Sequence, residues 1–252
     1  MKIALLNLAL VGLAAAVCSS AAAAAPAYIS AAISSPDRPP ADVARDAARK
    51  PEALIVFAGI KPGERVADIM PGQGYFTRIF SNLVGAKGRV FAIVPSELLQ
   101  VAPKAADGVK ALAADPAFAN VTVLIQPTAE ISAPAPLDVA WTSDNYHDLY
   151  GFFGADKAAA FDAAVFKALK PGGVFIVIDH VAKAGTSDVS PKTLHRIDPQ
   201  TVKAQLVAAG FKFEGESPIL RNEADTHDLK VFAPEIRGHT DQFVFKFRKP
   251  AP

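Results

Sequence analysis

Apolar and polar residues follow two different periods along this chain, and together they predict a series of strands and helices. Short runs such as 65–70 and 89–94 are apolar on both faces, which is typical of parallel strands covered by helices on either side. The segments between them have helical spacing, so strand and helix alternate over most of the chain. The predicted strands are 65–70, 89–94, 121–126, 137–142 and 174–179, and the predicted helices are 41–49, 51–59, 74–84, 96–114, 155–169 and 199–209.

In the last part of the chain, apolar residues recur at every second position. Residues 211–214 and 242–248 alternate apolar and charged side chains, and no long helical pattern separates them. Such alternation is typical of antiparallel strands with one solvated face. The whole pattern therefore predicts an α/β fold with a mostly parallel sheet, an antiparallel pair at one edge, and helices on both faces.

The first residues have the three regions of a secretory signal peptide. Met1 and Lys2 precede an apolar run over 3–17, and small residues follow up to Ala25. Because this run is shorter than the roughly 20 residues of a membrane span, cleavage near Ala25 is favoured over a retained anchor. We therefore expect an exported, periplasmic protein with no stable membrane insertion after cleavage. A lipoprotein signal with Cys18 as the attachment site is the alternative.

Composition limits the partners of the rest of the chain. After a signal peptide at 1–25, residues 26–40 are rich in proline and serine and predict a linker, and residues 41–252 suffice for one α/β domain. The 26 lysines and arginines nearly balance the 25 aspartates and glutamates, which argues against nucleic acid or an anionic membrane as partner. Cys18 is the only cysteine, so the mature domain has no thiol chemistry. We expect a small-molecule partner, and the sequence indicates no particular oligomeric state.

A glycine-spaced loop follows the first predicted strand. Gly72 and Gly74 allow a tight turn and a close approach of a ligand to the backbone, and the helix that begins there offers free amides. Asp68, at the end of the strand, could accept hydrogen bonds from a ligand. The alternative is a plain glycine turn followed by a helix cap.

The densest polar cluster follows the fourth predicted strand, where open α/β sheets bind their ligands. His147 could take a proton from an acceptor, since its unperturbed pKa near 6.5 suits that role, and Asp148 or Asp144 could orient it. We predict Tyr146, His147 and Asp148 as the catalytic segment. The alternative is a loop whose Asp and Asn side chains only cap turns.

A second polar group follows the fifth predicted strand. Asp179 and His180 lie at its carboxyl end and could line the acceptor pocket. Arg196 could recognise an acidic acceptor or close over the site. Asp198 directly precedes Pro199, so we favour a helix-capping role for it.

Metal binding is a further hypothesis for these polar groups. His147, His180 and His195 could bind a metal ion together with Asp144 or Asp179. Their spacing matches no familiar zinc pattern, so the sequence predicts no metal.

Several of these motifs resemble the class I S-adenosylmethionine (SAM)-dependent methyltransferases. The resemblance rests on Asp68 with the 71–74 loop, on the Pro-Gly-Gly turn within 169–173, and on the 209–211 segment; it covers almost the whole mature chain. It is strongest to a branch of exported methyltransferase-like proteins, whose ending is similar to residues 232–238. The resemblance implies a Rossmann-like class I methyltransferase fold with a seven-stranded sheet, SAM as cofactor, and methyl transfer to a small acceptor.

Two positions depart from the family pattern. Met70 occupies the place of the first glycine, and Val94 stands where the family has an acidic residue for the cofactor ribose. Glu97 could reach the ribose instead, or it could only complement the dipole of the next helix. A binding protein that keeps the fold without methyl transfer is therefore the alternative function. The cofactor-binding residues implied by the resemblance are Asp68, Gly72, Gly74, Tyr75, Glu97, Thr128 and Asn145.

Overall fold

A computed structural model of the protein describes residues 25–251 and is built around one seven-stranded sheet. Apart from its last residue, the predicted signal peptide lies outside the described residues. The strands are β1 (Arg65–Ile69), β2 (Arg89–Pro95), β3 (Val121–Gln126), β4 (Leu137–Ser143), β5 (Leu169–His180), β6 (Lys212–Glu216) and β7 (Gln242–Arg248).

The strand order is β3-β2-β1-β4-β5-β7-β6. The first five strands in this order are parallel, with β1 in the centre, where Val66 pairs with Val90 on one side and Val139 on the other. β7 runs antiparallel between β5 and β6. The predicted α/β fold, with its mostly parallel sheet and antiparallel edge pair, is confirmed.

Helices cover both faces of the sheet, because alternate residues of each strand face opposite sides. In β5, Ile176 packs into the core with α1, α4 and α5, whereas Phe175 packs into the core with α9 and α11. Among residues 25–251, no helix has the length and hydropathy of a membrane span. The α-helices are α1 (Ala27–Ile33), α2 (Pro40–Val43), α3 (Asp46–Arg49), α4 (Pro51–Ala58), α5 (Tyr75–Val84), α6 (Leu98–Val101), α7 (Asp107–Ala114), α8 (Tyr146–Asp148), α9 (Ala155–Ala168), α10 (Ser190–Leu194) and α11 (Pro199–Ala208).

Two predicted segments differ from the structure. The linker prediction for 26–40 is wrong, because α1 lies within it. This helix buries Ile29 and Ala32 in the core that it shares with α4 and α5. The predicted helix over 96–114 is divided into α6 and α7. Pro103 lies in the interruption, and a proline cannot donate the backbone hydrogen bond that a continuous helix needs.

Candidate cofactor and acceptor site

A cavity of about 930 Å³ lies beyond the carboxyl ends of β4 and β5. The N-terminal helices form one wall, and the segment after β6 covers it. This volume is typical of sites that hold a cofactor-sized ligand. The polar side chains on its wall are Arg45, Arg49, Ser143, Asp144, Asn145, His147, Asp148, His180, His195, Arg237, Thr240 and Gln242.

The glycine-spaced loop keeps the shape that its spacing predicts. Met70, Gly72 and Gly74 all have φ in the left-handed region, at 55°, 57° and 83°. Met70 thus adopts a backbone conformation that usually favours glycine. The loop therefore turns at this position although a methionine stands in the place of the first glycine. A Cβ atom on Gly74 would lie 2.8 Å from Leu112, so packing as well as φ requires glycine there.

Asn145 connects this loop to the end of β4. Its Nδ2 donates to the Met70 carbonyl oxygen at 2.9 Å and also to the Ser143 carbonyl. The side chain lines the cavity at the same time. Asn145 therefore fixes the loop at the position where the sequence predicts a cofactor contact.

Asp68 lies beneath the loop, outside the cavity lining. Its carboxylate accepts a hydrogen bond from the Thr77 hydroxyl at 2.6 Å, within α5. Burial raises its pKa to about 7, although the bond to Thr77 and the charge of Arg49 oppose this shift. The structure thus corrects the predicted ligand contact: Asp68 is buried against α5 and bonds to Thr77.

Tyr75 is also turned away from the cavity. Its ring is buried, and its hydroxyl donates to Asp46 of α3 at 2.6 Å. The guanidinium carbons of Arg45 and Arg49 lie 5.2 and 4.8 Å from the ring centroid. The predicted cofactor contact of this side chain is therefore corrected to an attachment of the N-terminal helices.

Glu97 and Thr128, predicted separately as cofactor residues, contact each other. The Glu97 carboxylate accepts from the Thr128 hydroxyl at 2.8 Å and from its backbone N–H at 3.1 Å. Partial burial raises the pKa of Glu97, but these hydrogen bonds outweigh it and hold the pKa below its usual value. The carboxylate therefore stabilises the turn after β3, and Leu98 and Val101 of α6 line the nearby cavity.

His147 and Asp179 form the buried centre of the polar cluster. One Asp179 oxygen lies 2.7 Å from His147 Nδ1 and accepts from the His180 backbone N–H, and the other accepts from the His147 backbone N–H at 2.6 Å. Burial alone would lower the His147 pKa, but the carboxylates of Asp179 and Asp148 raise it to about 10. The two carboxylates thus favour the protonated ring, and the role of His147 as a proton acceptor stays a prediction.

His180, Thr240 and Gln242 form a second polar group on the cavity wall. His180 Nδ1 lies 2.7 Å from the Thr240 hydroxyl. Gln242 donates to Asp144 at 2.6 Å, and Arg49 forms an ion pair with the same carboxylate. Burial lowers the pKa of His180, so its ring is neutral near pH 7. Sequence reasoning missed Thr240 and Gln242, because only the tertiary fold brings β7 to this wall.

Tyr146, predicted as catalytic, is fully buried below the cavity. Its hydroxyl oxygen lies 2.7 Å from Asp162 Oδ2 in α9 and 3.0 Å from Gln205 Oε1 in α11. The helical turn of α8 points its ring into the core while the ring of His147 lies at the cavity wall. The prediction of a catalytic Tyr146 is corrected accordingly.

Arg196 does not reach the cavity either. It is fully buried and pairs with Asp225, which corrects its predicted role in binding an acidic acceptor. Asp198 accepts from the Gln200 backbone N–H at 2.9 Å and caps α11, as predicted. Together these contacts fix the segments that surround the cavity.

Comparisons with known proteins agree with this fold. The family profile of protein-L-isoaspartate(D-aspartate) O-methyltransferase matches residues 48–143. The ubiquinone/menaquinone biosynthesis C-methyltransferases UbiE of Marinomonas sp. (strain MWYL1) and Shewanella piezotolerans (strain WP3 / JCM 13877) are 30% and 34% identical to this chain over 194 and 199 residues. Each match covers 76% of this chain and 66% of the relative, slightly less than two thirds of its length.

Solved structures share the fold at lower identity. A SAM-dependent methyltransferase from Aquifex aeolicus superposes with a TM-score of 0.52 at 19% identity, over 81% of this chain and 98% of that chain. The [4+2]-cyclase SpnF superposes with a TM-score of 0.57 at 19% identity, over 84% of this chain and 82% of that chain. The sheet order and the loop after β1 thus define a Rossmann-like methyltransferase fold. The chain is similar in sequence to class I SAM-dependent methyltransferases and shares their fold.

Proposed function

We propose that this protein transfers the methyl group of SAM to a small acceptor held in the cavity. The proposal rests on one observation: the residue that contacts the glycine loop and the polar group lie side by side on the same wall of the cavity. Asn145, which fixes the glycine loop, lies directly beside the polar group of Asp144, His180 and Gln242. A cofactor at the loop and an acceptor at this group would therefore be neighbours.

The residues beside the loop fit SAM, while Gly72 and Gly74 themselves lie outside the cavity lining. The first turn of α5 offers backbone amides beside the left-handed Gly74, and Leu98, Val101 and Ala102 give an apolar wall for a nucleoside. When bound, SAM supplies an electrophilic methyl group. The cavity of about 930 Å³ is large enough for a ligand of this size.

Positioning is the main contribution of the protein to this reaction. The residues of the cavity wall would hold the acceptor atom in line with the methyl group that bound SAM would supply, the sulfur would keep the electrons of the broken bond, and the proton of the acceptor would pass to solvent. In-line placement of the two reacting atoms accounts for most of the rate in such a transfer. His180 and Gln242 are placed to hold a hydroxyl or carbonyl of the acceptor.

The cavity favours an acceptor with one polar and one apolar side. Phe152, Val231 and Phe232 line it opposite the polar group, and Phe152 and Phe232 remain more than half exposed. The UbiE relatives are named for C-methylation in quinone biosynthesis. We therefore propose a ring-bearing small molecule with an oxygen substituent as the acceptor class.

A binding protein without methyl transfer is the second candidate function. It is favoured by the Glu97 carboxylate, which is bound to Thr128, and by Val94 at the end of β2. A SAM ribose would then lack the carboxylate that the family places there. A different nucleoside-like ligand would meet no such requirement.

Calorimetric titration of the purified mature protein with SAM and S-adenosylhomocysteine tests the proposal. We expect binding by the wild type and about tenfold weaker binding by Asn145→Ala, because the loop loses its hydrogen bond to the β4 end. Gln100→Ala, which removes an exposed amide on α6, should bind as the wild type does. Transfer of a labelled methyl group to a ring-bearing acceptor then tests catalysis. A folded wild type that gives no heat at high micromolar SAM would contradict methyl transfer and favour the second candidate.

We also propose that the protein is exported, since the apolar run before Ala25 has the length and flanks of a signal peptide. Fractionation of cells that express the full chain should place it in the periplasm. Mass spectrometry should find a mature N-terminus near Ala25. An intact Met1 on cytoplasmic protein would contradict export.

A further inference from the structure

Three possible metal ligands converge at the cavity wall. His147 Nε2 lies 3.2 Å from His195 Nδ1 and 3.2 Å from Asp148 Oδ1. His195 Nδ1 lies 3.3 Å from the same carboxylate oxygen. The three atoms thus form a nearly equilateral triangle, although His195 is far from the other two residues in the sequence.

The dimensions of this triangle match one face of a metal coordination sphere. With metal–ligand distances of about 2.1 Å, neighbouring ligands are about 3.0 Å apart in an octahedral site and about 3.4 Å apart in a tetrahedral one. The observed 3.2–3.3 Å lies between these values. A point about 2.1 Å from all three atoms lies about 1 Å above their plane.

Asp179 supplies the support that metal-binding histidines usually have. It lies 2.7 Å from His147 Nδ1, so in the neutral ring that would bind a metal the proton lies on Nδ1 and the lone pair of Nε2 is directed at the triangle. Carboxylates in this position fix the orientation and the protonated nitrogen of a ligating imidazole. Asp179 is itself fully buried and held by the backbone N–H groups of His147 and His180.

The backbone at the triangle is held in uncommon conformations. His195 has φ 55° and ψ 49°, a left-handed conformation that costs free energy for a residue other than glycine. Directly after Asp148, residues Leu149–Phe153 form a π-helical turn, a feature that occurs frequently at functional sites. Both features directly adjoin residues of the triangle.

A single proton cannot satisfy these three atoms. In the metal-free protein a proton on His147 Nε2 makes only one well-aligned hydrogen bond within the triangle; a bound metal ion would replace that proton, and all three atoms would then offer it a lone pair. Asp148 Oδ1 is buried and has no hydrogen-bond partner of good geometry, although both ring nitrogens are within 3.3 Å. A divalent cation would satisfy all three at once.

We propose that His147, Asp148 and His195 form a binding site for one divalent transition-metal ion such as Zn²⁺. Two imidazole nitrogens and one carboxylate oxygen are a ligand set typical of Zn²⁺ and its first-row neighbours. The same three residues line the cavity, so a bound ion would keep coordination positions for water or for an oxygen atom of a ligand. The proposal concerns metal binding alone and does not depend on methyl transfer.

Equilibrium dialysis of the tag-free mature protein against ZnCl₂, with metal analysis of the protein fraction, tests this site. We expect one Zn²⁺ per wild-type chain. His195→Ala and Asp148→Asn should each weaken binding by more than about 100-fold, because each removes a ligand of the metal itself. His239→Ala, which removes an exposed histidine outside the triangle, is the matched control and should retain wild-type binding.

Asp179→Asn tests the supporting carboxylate separately. It should weaken Zn²⁺ binding by about 10- to 100-fold while the three ligands remain. The visible spectrum of bound Co²⁺ should show nitrogen ligands in the wild type and change in His195→Ala. Far-UV circular dichroism must show that each variant is folded. Wild type without Zn²⁺, or folded His195→Ala and Asp148→Asn variants that bind as the wild type does, would overturn the proposal whether or not SAM binds.

Discussion

Replacement of Arg196 by alanine is expected to lower the free energy of unfolding by about 3–5 kcal/mol, because it leaves a buried charge without its partner. Arg196 Nη1 lies 2.8 Å from Asp225 Oδ2, and Nη2 donates to Asp225 Oδ1 at 3.1 Å. Both side chains are almost completely buried. The same guanidinium donates to the carbonyl oxygens of Val181 and Leu229, so those acceptors would also lose their bonds.

Urea unfolding of the wild type and the variant measures this effect. Arg221→Ala is the matched control, since Arg221 also pairs with an aspartate, Asp241, but is 46% exposed. The buried Asp241 carboxylate keeps its contacts with the Asn222 backbone N–H and His227 Nε2 when the half-exposed Arg221 is removed, so this variant should lose no more than about 1 kcal/mol. An Arg196→Ala protein within about 1 kcal/mol of the wild type would show that the pair is not a main support of the fold.

The Arg196 pair also bears on the cavity. Val231 and Phe232 cover the cavity, and the segment that carries them is held by Asp225 and by Leu229. Loss of Arg196 should therefore loosen this cover before the sheet unfolds. Arg196→Lys keeps the charge but cannot make the forked contact, so its stability should lie between those of the wild type and Arg196→Ala.

The sheet was predictable because its signal is local. A parallel strand covered on both faces must be apolar at successive positions, and 65–70, 89–94 and 174–179 show this directly in the sequence. Helix α1 gave no comparable signal. It has seven residues, and only Ile29 and Ala32 are buried, so its two apolar contacts were hidden beside the Pro- and Ser-rich residues that follow.

The place of the site was predictable, but the partners of its side chains were not. The carboxyl ends of parallel strands meet at one edge, so residues after β4 were expected at the crevice, and Asn145, His147 and Asp148 do line it. By contrast, the contact between Glu97 and Thr128 depends on tertiary packing across 31 residues. No sequence spacing reveals such a contact.

The approach of His195 to His147 is a contact of the same kind. Their ring nitrogens meet across 48 residues, and metal prediction from sequence relies on short spacings between ligands. The expectation of no metal rested on that spacing. The triangle with Asp148 could therefore be found only in the folded protein.

Replacement of Asp162 by asparagine is expected to remove a loss of stability that the wild type shows as pH rises. Asp162 is fully buried in α9, and burial raises its pKa to about 8 even though the hydrogen bond with Tyr146 opposes the shift. An unfolded chain releases this proton near pH 4. Between pH 4 and 8 the native protein keeps the proton, so its free energy of unfolding falls with rising pH.

The asparagine can keep the contacts of the protonated acid. In the wild type, protonated Asp162 can donate to the Tyr146 oxygen while the Tyr146 hydroxyl donates to Gln205, 3.0 Å away. An asparagine amide can make the same donation without any charge. Asp156→Asn, at an exposed position of the same helix, is the matched control and should change stability by less than about 1 kcal/mol at any pH.

Urea unfolding at pH 5, 7 and 9 measures the effect of Asp162→Asn. At pH 5 the variant and the wild type should be close in stability, and at pH 9 the variant should be more stable by on the order of 4 kcal/mol. Asp68, whose pKa is also raised by burial, to about 7, remains in both proteins, so a smaller decline up to pH 7 should persist in the variant. A parallel fall in the free energy of unfolding of the two proteins from pH 5 to 9 would contradict this prediction. Asp162 would then be ionised in the native state throughout, and Tyr146 would donate to its carboxylate instead of to Gln205.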